Sequence, residues 1–483
     1  MLTPGRINHD SSPHTQFLRP RHRGFSRRAE ALVSWKFGVR DPIYIAGGGL
    51  AGCEAAWQIA RRGLRCVLHE MRPARATPAH QTDRLAELVC SNSLKSEAES
   101  TAPWLLKEEL GRLGSLLLEA AARARVPGGQ ALTVDRQVFA DEVTAAIGAE
   151  PLIEVRRQEV TAIPAEPIVI IATGPLTSDG LAQDIARLTG SGRLYFHDAI
   201  SPIVDADSVD TRVTFWASRY GKSVDGTGDY LNCPLDRGQY QRFVDALLAA
   251  QPVTAHIEED RIPFFEACLP IEELARRGRD TLRFGPMKPV GLTDPRTGKR
   301  PYAAVQLRRE NLRARSFNLV GFQNHMKFAE QARVLRMIPG LENAEFLRFG
   351  QIHRNTYINA PALLSRTLQL RAEPRILFAG QISGVEGYVE AIATGLMAGA
   401  HAAALAAGET PRALPRETAL GSLCHYIAGA DPADYQPANI TFDLLPALDE
   451  AARGRFRNDK KARHAEVCRR ALEALEEYRH AYV

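Results

Sequence analysis

The stretch AGGGLAGCEAAWQIARRG, residues 46–63, decides the fold. An apolar run over residues 43–46 leads into it, and a second apolar run ends at Glu70, 23 positions after Gly47. This order predicts a strand, a glycine turn, a helix and a second strand, which together form the βαβ unit that opens a dinucleotide-binding domain. The alternative is a glycine-rich turn without a ligand.

The spacing Gly47-x-Gly49-x-x-Gly52 has a physical reason. Glycines let backbone N–H groups and a helix N-terminus approach a pyrophosphate, and the carboxylate at the end of the second strand binds the hydroxyls of a ribose. We therefore predict that the dinucleotide is bound by Gly47, Gly48, Gly49, Gly52, Glu70 and Arg72.

Two later segments indicate that this dinucleotide is FAD. Residues 374–399 predict a strand that runs into Gly380 and Gln381, a loop with Gly387 and a helix of small residues. Flavoproteins with two such motifs use the second one to bring another helix N-terminus to the flavin. Residues 166–188 add an apolar strand with an Ala-Thr-Gly turn, which is typical of the same sheet.

Because these segments lie far apart, we expect a protein of the α/β class with a discontinuous Rossmann-like FAD-binding domain and an inserted α+β domain. The expected parts are a basic disordered extension over residues 1–40, the FAD-binding domain over 41–95, 155–190 and 325–410, the inserted substrate domain over 96–154 and 191–324, and a C-terminal helical segment over 411–483.

Composition indicates a cytoplasmic enzyme. The chain has 483 residues, 45% of them apolar and 24% charged, which suits about two to three domains. The net charge of +5 lies in residues 1–40, so the rest of the chain has no basic excess that would indicate nucleic-acid binding. Those first residues, rich in arginine, also fit an organellar transit peptide. Seven cysteines without a CxxC pair argue against a disulfide framework and against a zinc site, so we expect no metal.

The apolar run over residues 389–408 approaches the length of a membrane span. Its alanine and glycine content, with Glu386 and Glu390 at its start, favours a helix packed against a cofactor. We therefore expect no membrane partner.

Five motifs together resemble the folate- and FAD-dependent tRNA uracil-5-methyltransferases, the TrmFO family. They are HEMRP (69–73), LAELVCSNSLKS (85–96), YLNCPL (230–235), RFGQIHRNTYINAP (348–361) and FAGQISGVEGYVEAIATGLMAG (378–399). The larger GidA-type proteins share the glycine motifs but carry long C-terminal helical domains. Here only about 75 residues follow the last small-residue helix, so the shorter family fits better.

The resemblance implies methylation of C5 of a uridine in the tRNA T-loop. The carbon would come from 5,10-methylenetetrahydrofolate and the electrons from reduced FAD, which NADH or NADPH would reduce. Alternatives are the same chemistry on ribosomal RNA, a flavin oxidoreductase without an RNA substrate, and a non-catalytic RNA-binding flavoprotein.

C5 of uracil is a poor nucleophile, so such chemistry needs a thiolate that adds to C6. Cys53 lies in the first turn of the predicted helix, where the helix N-terminus favours a thiolate, and we expect it to act on the flavin side. The resemblance makes Cys233, predicted in a loop with Pro234, the uracil nucleophile. Both could instead be packing residues. Cys90 lies in a polar loop that could reach the flavin.

Two polar segments supply candidate substrate residues. HRNTYINAP, residues 353–361, is dense in donors suited to a pterin or flavin edge, with helix or turn capping as the alternative. Residues 284–310 form a basic segment that could contact tRNA phosphates or could be solvated charge on a hairpin. The expected substrate-binding residues are Asn92, Lys95, Arg354, Asn355, Lys288 and Arg308.

Overall fold

The computed structural model describes residues 41–77, 79–190, 194–223, 228–253, 269–456 and 458–482. All structural statements below concern these residues. The predicted disorder of residues 1–40 lies outside them.

The described ranges contain both β-strands and α-helices. In chain order the strands are β1 (Ile43–Ala46), β2 (Cys66–His69), β3 (Ser93–Ser96), β4 (Arg125–Val126), β5 (Ala131–Val134), β6 (Ile153–Arg156), β7 (Val169–Ile171), β8 (Leu194–Ala199), β9 (Ile203–Asp205), β10 (Phe215–Ala217), β11 (Tyr230–Leu235), β12 (Ala303–Arg309), β13 (Ser316–Leu319), β14 (Phe346–Arg348), β15 (Ile352–Tyr357), β16 (Gln369–Leu370) and β17 (Glu373–Phe378). The helices are α1 (Leu50–Ala60), α2 (Ala102–Arg112), α3 (Leu116–Arg123), α4 (Arg136–Ala149), α5 (Asp179–Thr189), α6 (Arg237–Leu248), α7 (Ile271–Arg276), α8 (Thr281–Phe284), α9 (Phe328–Leu335), α10 (Ala360–Leu363), α11 (Tyr388–Ala406), α12 (Ala419–Gly429), α13 (Glu450–Arg455) and α14 (Lys460–Tyr482).

The first sheet has the order β16-β17-β7-β1-β2-β6, and all its neighbouring strands except β16 and β17 pair in parallel. It joins strands from three distant parts of the chain, as the glycine motifs predict. The carboxyl ends of its parallel strands therefore meet at one edge, which positions the site. The α/β class expected from the sequence is confirmed.

Helix α11 lies directly against α1. A Cβ at Gly395 would lie 2.3 Å from the carbonyl oxygen of Ala51, and one at Gly399 would lie 2.5 Å from that of Ala55. Glycine is therefore needed where the two helix backbones meet. Helix α11 is long and apolar enough to cross a membrane, yet 72% of its apolar window is buried inside the protein. It is a core helix, packed as the sequence predicts.

Helices α2, α3 and α4 differ from the expected domain division. Their apolar residues, among them Leu105, Leu117, Val143 and Ile147, belong to the same core as the first sheet. The sequence analysis places residues 96–154 in the inserted domain. The apolar face of an amphipathic helix shows that the helix packs on another element, but not to which sheet that element belongs.

The second sheet is antiparallel, with the order β10-β11-β12-β13-β9-β14. Side chains on one of its faces, such as Leu231, Leu307 and Leu319, form a separate core with residues of α6, α7 and α9. The other face carries polar residues, including Asn232 and Gln306, which hydrogen bond to each other at 3.0 Å. Strands β8 and β15 form a two-stranded sheet, and β3, β5 and β4 a three-stranded one.

Candidate functional site

A cavity of about 410 Å³ opens at the carboxyl ends of β1, β2, β7 and β17. Ligand sites of open α/β sheets lie at this edge. The predicted residues that line it are Gly47, Gly48, Gly49, Glu70, Arg72, Gly380, Gln381, Gly387, Lys95 and Asn355. Residues 172–178 also line it, so three segments separated in sequence surround one cavity.

The first glycine turn is tight toward the sheet and open toward the cavity. A Cβ at Gly47, which has φ +108°, would lie 2.5 Å from the carbonyl oxygen of Ala172. A Cβ at Gly52 would lie 1.8 Å from the carbonyl oxygen of Gly47, so Gly52 shapes the turn without lining the cavity. A Cβ at Gly49 would meet nothing within 4 Å. The turn therefore leaves the N-terminus of α1 accessible to an anion.

Arg72 holds the carboxylate of Glu70. One oxygen of Glu70 accepts hydrogen bonds from the backbone N–H and Nε of Arg72, at 3.0 and 2.9 Å, and the other accepts from Nη2 at 3.1 Å. Arg72 also donates to Glu87 at 3.0 Å. Burial opposes the charge of Glu70, but the hydrogen bonds and charge of Arg72 lower its pKa. Glu70 is therefore held as an anion at the end of β2.

The second glycine element is equally constrained. The backbone N–H of Gly380 donates to Thr394 Oγ1 at 2.8 Å, which ties the end of β17 to α11. Gly387 has φ +114°, and a Cβ there would lie 2.4 Å from Glu390 Oε2 and 2.6 Å from Lys95 Nζ. A larger residue at Gly387 would therefore displace the side chains at the start of α11.

Cys53 does not lie in the expected environment. Its side chain is fully buried, its thiol donates to the carbonyl oxygen of Gly48 at 3.3 Å, and it does not line the cavity. Burial, with the charge of Glu70, raises the pKa of Cys53, which opposes the expected thiolate. The face of α1 that carries Cys53 packs on the sheet, and desolvation there outweighs the helix N-terminus. The alternative of a small packing residue fits.

Cys233 does not lie in a loop. It is in the middle of β11, where its fully buried side chain joins the core of the second sheet, and burial raises its pKa. The loop expected from Pro234 is wrong, and the environment does not suit a nucleophile. The alternation of Leu231, Cys233 and Leu235 was the signal for a strand with these three side chains in the core.

Cys90 is the cysteine that lines the cavity within the described part of the chain, and its side chain is partly exposed. Its backbone N–H donates to Tyr388 Oη at 2.8 Å, and the N–H of Ser91 donates to the same oxygen at 3.1 Å. Its carbonyl oxygen accepts from Arg136 Nη2 at 3.1 Å. The loop is thus fixed from two sides. Tyr388 and Arg136 were missed in the sequence, although Tyr388 directly follows Gly387.

Two predicted substrate residues that follow this loop, Asn92 and Lys95, have partners within the protein. Asn92 is fully buried, and its Nδ2 donates to the carbonyl oxygens of Val134 and Arg309 at 3.0 and 2.9 Å. The side chain links the ends of β5 and β12 and does not line the cavity, so its expected substrate contact gains no support from the structure. Lys95 Nζ donates to Glu390 at 2.5 Å and to Asn439 at 2.6 Å, so it ties α11 to the C-terminal segment at the cavity wall.

The other predicted substrate residues are separated in space. Asn355 is buried and lines the cavity, whereas the side chain of Arg354 lies outside the described part. Lys288 is partly exposed and does not line the cavity. Arg308 is not on a solvated hairpin: it lies within β12 with 7% of its surface exposed.

Comparison with known proteins agrees with this geometry. The family model described as "Glucose inhibited division protein A" (GIDA) matches residues 42–410. A protein of Solibacter usitatus, named methylenetetrahydrofolate--tRNA-(uracil-5-)-methyltransferase TrmFO, is 78% identical over 445 residues, which are 92% of this chain and all of that protein. The chain belongs to the TrmFO family. The resemblance found in the sequence motifs is thereby confirmed.

Further comparisons place this TrmFO family member within a wider fold group. A Koribacter versatilis relative of the same name is 64% identical over 435 residues, covering 90% of this chain and 97% of that protein. A crystal structure of Aquifex aeolicus GidA superposes with a TM-score of 0.64 over 92% of this chain and 76% of that one, at 17% identity. That likeness shows a shared fold.

Proposed function

We propose that this protein binds FAD and methylates C5 of a uridine in the T-loop of tRNA, with 5,10-methylenetetrahydrofolate as the carbon donor. The observation that carries the proposal is the position of Cys90, which lines the same cavity as both glycine elements. The names of the relatives, which align over nearly their whole length, support the same substrates.

The residues fit FAD. The glycine turn and the accessible N-terminus of α1 suit a pyrophosphate, and the anion of Glu70 suits a ribose. Gly380, Gln381 and Gly387 bring the N-terminus of α11 to the same cavity, where the flavin ring would bind. When bound, FAD supplies the electrons that turn a methylene group into a methyl group. NADH or NADPH would supply those electrons in turn, and the cytoplasm is the proposed location.

The protein's own residues position a thiol for attack on the base. The sulfur of Cys90 forms a bond to C6 of the uracil, and the electron pair of the C5–C6 double bond then forms a bond from C5 to the methylene carbon of the donor as one carbon–nitrogen bond of the donor breaks. Loss of the C5 proton breaks the second carbon–nitrogen bond and releases tetrahydrofolate. The hydride that reduced FAD would supply would then turn the methylene group into a methyl group, and the sulfur would leave C6 as the C5–C6 double bond is restored. Tyr388 and Arg136 hold the backbone of Cys90, so they fix where the sulfur can reach.

The test is methyl transfer from labelled methylenetetrahydrofolate to unmodified tRNA and ribosomal RNA transcripts, with mapping of the product. We expect label at a T-loop uridine of tRNA with wild type, loss of transfer in Cys90→Ala, and retained transfer in Cys233→Ala. Transfer to ribosomal RNA alone would contradict the proposed substrate. Loss in Cys233→Ala with a normal Cys90→Ala would contradict the proposed thiol.

A further inference from the structure

A row of directly paired residues crosses the second sheet beside Cys90. Tyr230 pairs with Arg308, Arg308 with Asn318, Asn318 with Ile203, and Ile203 with Arg348. Directly opposed residues in a sheet place their side chains on the same face. Arg308 and Asn318 therefore share the face opposite the apolar core, and Arg348 lies on the edge strand β14 of the same sheet, after a register shift between Phe346 and Arg348. We name these three residues the polar row.

The polar row is buried although it carries two charges. Arg308 is 7% exposed and Asn318 is 2% exposed. Within the described part of the chain, Arg308 Nε, Asn318 Nδ2 and Arg348 Nη2 are buried and have no hydrogen-bond acceptor. Buried donors are almost always paired in folded proteins, because leaving them unpaired is unfavourable. Three unpaired donors in the polar row indicate an acceptor that the protein does not supply.

The positive charges near the polar row favour a bound anion. Arg136 also lies within electrostatic reach of both Arg308 and Arg348. Glu310 acts on both of these arginines, but it already pairs with Arg136, whose Nε lies 2.6 Å from Glu310 Oε2. In the described part of the chain these three guanidinium groups thus share this carboxylate. An oxyanion would balance the charge and accept the free donors at once.

The location of the row favours one source of that oxyanion. Cys90, in the cavity wall, is joined to the end of β12 through Arg136, whose Nη2 donates to the carbonyl oxygen of Cys90 at 3.1 Å and to Glu310 Oε1 at 3.2 Å. A uridine whose base reaches Cys90 brings its own phosphodiester one sugar away from the base. The planar guanidinium group suits the two free oxygens of a phosphodiester, and amide donors complete such sites.

We propose that Arg308, Asn318 and Arg348 bind the phosphodiester next to the uridine that is methylated. This inference rests on the proposed function and adds the contact that places the nucleotide at Cys90. It makes the polar row a positioning site for RNA within the second sheet, distinct from the glycine segments proposed to hold the cofactor.

The test pairs a protein change with an RNA change. RNA hairpins carry a single uncharged methylphosphonate at either linkage flanking the target uridine, and their affinities are measured for flavin-loaded wild type, Arg308→Met and the control Arg333→Met. Arg333 lies on α9, which packs on the other face of the sheet, and pairs with Glu330. We expect Arg308→Met and one of the two methylphosphonates each to weaken binding about tenfold, with little further loss when combined. Arg333→Met should bind as wild type.

Asn318→Asp is a second variant, which tests the proposal even if Arg308→Met does not fold. It keeps the side-chain shape but places a carboxylate in the row, so it should retain flavin and the wild-type melting temperature while weakening RNA binding at least tenfold. Unchanged RNA affinity in both variants would overturn the proposal. Multiplying losses in the combined experiment would also overturn it, because they would indicate general charge attraction.

Three further outcomes separate this site from its alternatives. A higher KM for methylenetetrahydrofolate with normal RNA affinity would overturn the proposal by assigning the row to a folate carboxylate. If wild type binds and methylates the hairpin but Arg308→Met and Asn318→Asp bind it as tightly as wild type, the inference fails and the proposed function stands. If wild type methylates no RNA, the proposed function itself fails.

Discussion

The parallel sheet meets the cavity with its strand ends, whereas the antiparallel sheet presents a face of side chains beside Cys90. At the strand ends the backbone forms the site, so the residues that matter are glycines and they follow one another in sequence. On the face, functional and core residues alternate, as Asn232 and Cys233 do in β11. Neighbours in sequence therefore share a role at the strand ends of the parallel sheet and have opposite roles in the strands of the antiparallel sheet.

We expect the largest effect from Gly52→Val, which changes the first glycine turn. A Cβ at this position would lie 1.8 Å from the carbonyl oxygen of Gly47, so the turn cannot keep its shape. We expect purified protein without bound flavin, measured by its visible absorbance. Gly148→Ala is the control, because a Cβ there meets nothing within 4 Å and alanine is favoured in a helix by roughly 0.5–1 kcal/mol. Yellow Gly52→Val protein would show that the turn does not hold the cofactor.

This contrast explains how much could be predicted from sequence. The βαβ unit follows from local spacing, so Gly47 to Gly52 and Glu70 indicate their own arrangement. The role of a cysteine depends on what covers it. Cys53 and Cys233 face cores made by distant segments, whereas Cys90 gains its place from Tyr388 and Arg136, 298 and 46 residues away. No local pattern contains that information.

Glu109 attaches the C-terminal segment to the core of the first sheet. Its buried carboxylate accepts from the backbone N–H groups of Ala419 and Leu420 at 2.7 and 2.8 Å, at the start of α12. Replacing it by alanine should lower the free energy of unfolding by about 1–3 kcal/mol, because two buried amides lose their acceptor. Chemical denaturation at constant pH measures this loss, and an unchanged midpoint would contradict the contact.

The same carboxylate predicts a pH dependence. Burial raises the pKa of Glu109 to about 8, so the folded protein favours the protonated form more than the unfolded chain does. Its contribution to stability is complete below its ordinary pKa near 4.5 and is lost as the pH rises through about 8. The free energy of unfolding of wild type should therefore fall relative to Glu109→Gln between these pH values. Parallel curves for the two proteins would exclude this shift.

Tyr388→Phe tests the contact between α11 and the loop that carries Cys90. It removes the oxygen that accepts the N–H groups of Cys90 and Ser91, and it leaves the ring in place. We expect methyl transfer to slow by roughly tenfold, since an unpaired buried amide costs about 1–3 kcal/mol and the loop shifts to avoid it. Flavin content should stay at the wild-type level. A normal rate would show that the loop is held by other contacts.

Asn92→Leu should have the smallest effect on chemistry. It removes the hydrogen bonds that link Val134 and Arg309 across the two cores, so the melting temperature should fall by a few degrees. At saturating RNA the methyl-transfer rate should stay within about twofold of wild type, because Asn92 does not line the cavity. A large loss of rate at normal stability would return Asn92 to the list of substrate residues.

If Cys90 supplies the reactive thiol, it is the cysteine that forms a covalent bond to RNA, and this bond can be located directly. The flavin-loaded protein is incubated with methylenetetrahydrofolate, NADPH and tRNA containing 5-fluorouridine, whose C5 cannot lose its substituent as a proton. The cross-linked protein is then digested and analysed by mass spectrometry. We expect the nucleotide on the peptide that contains Cys90. A nucleotide on Cys53 or Cys233 would contradict it.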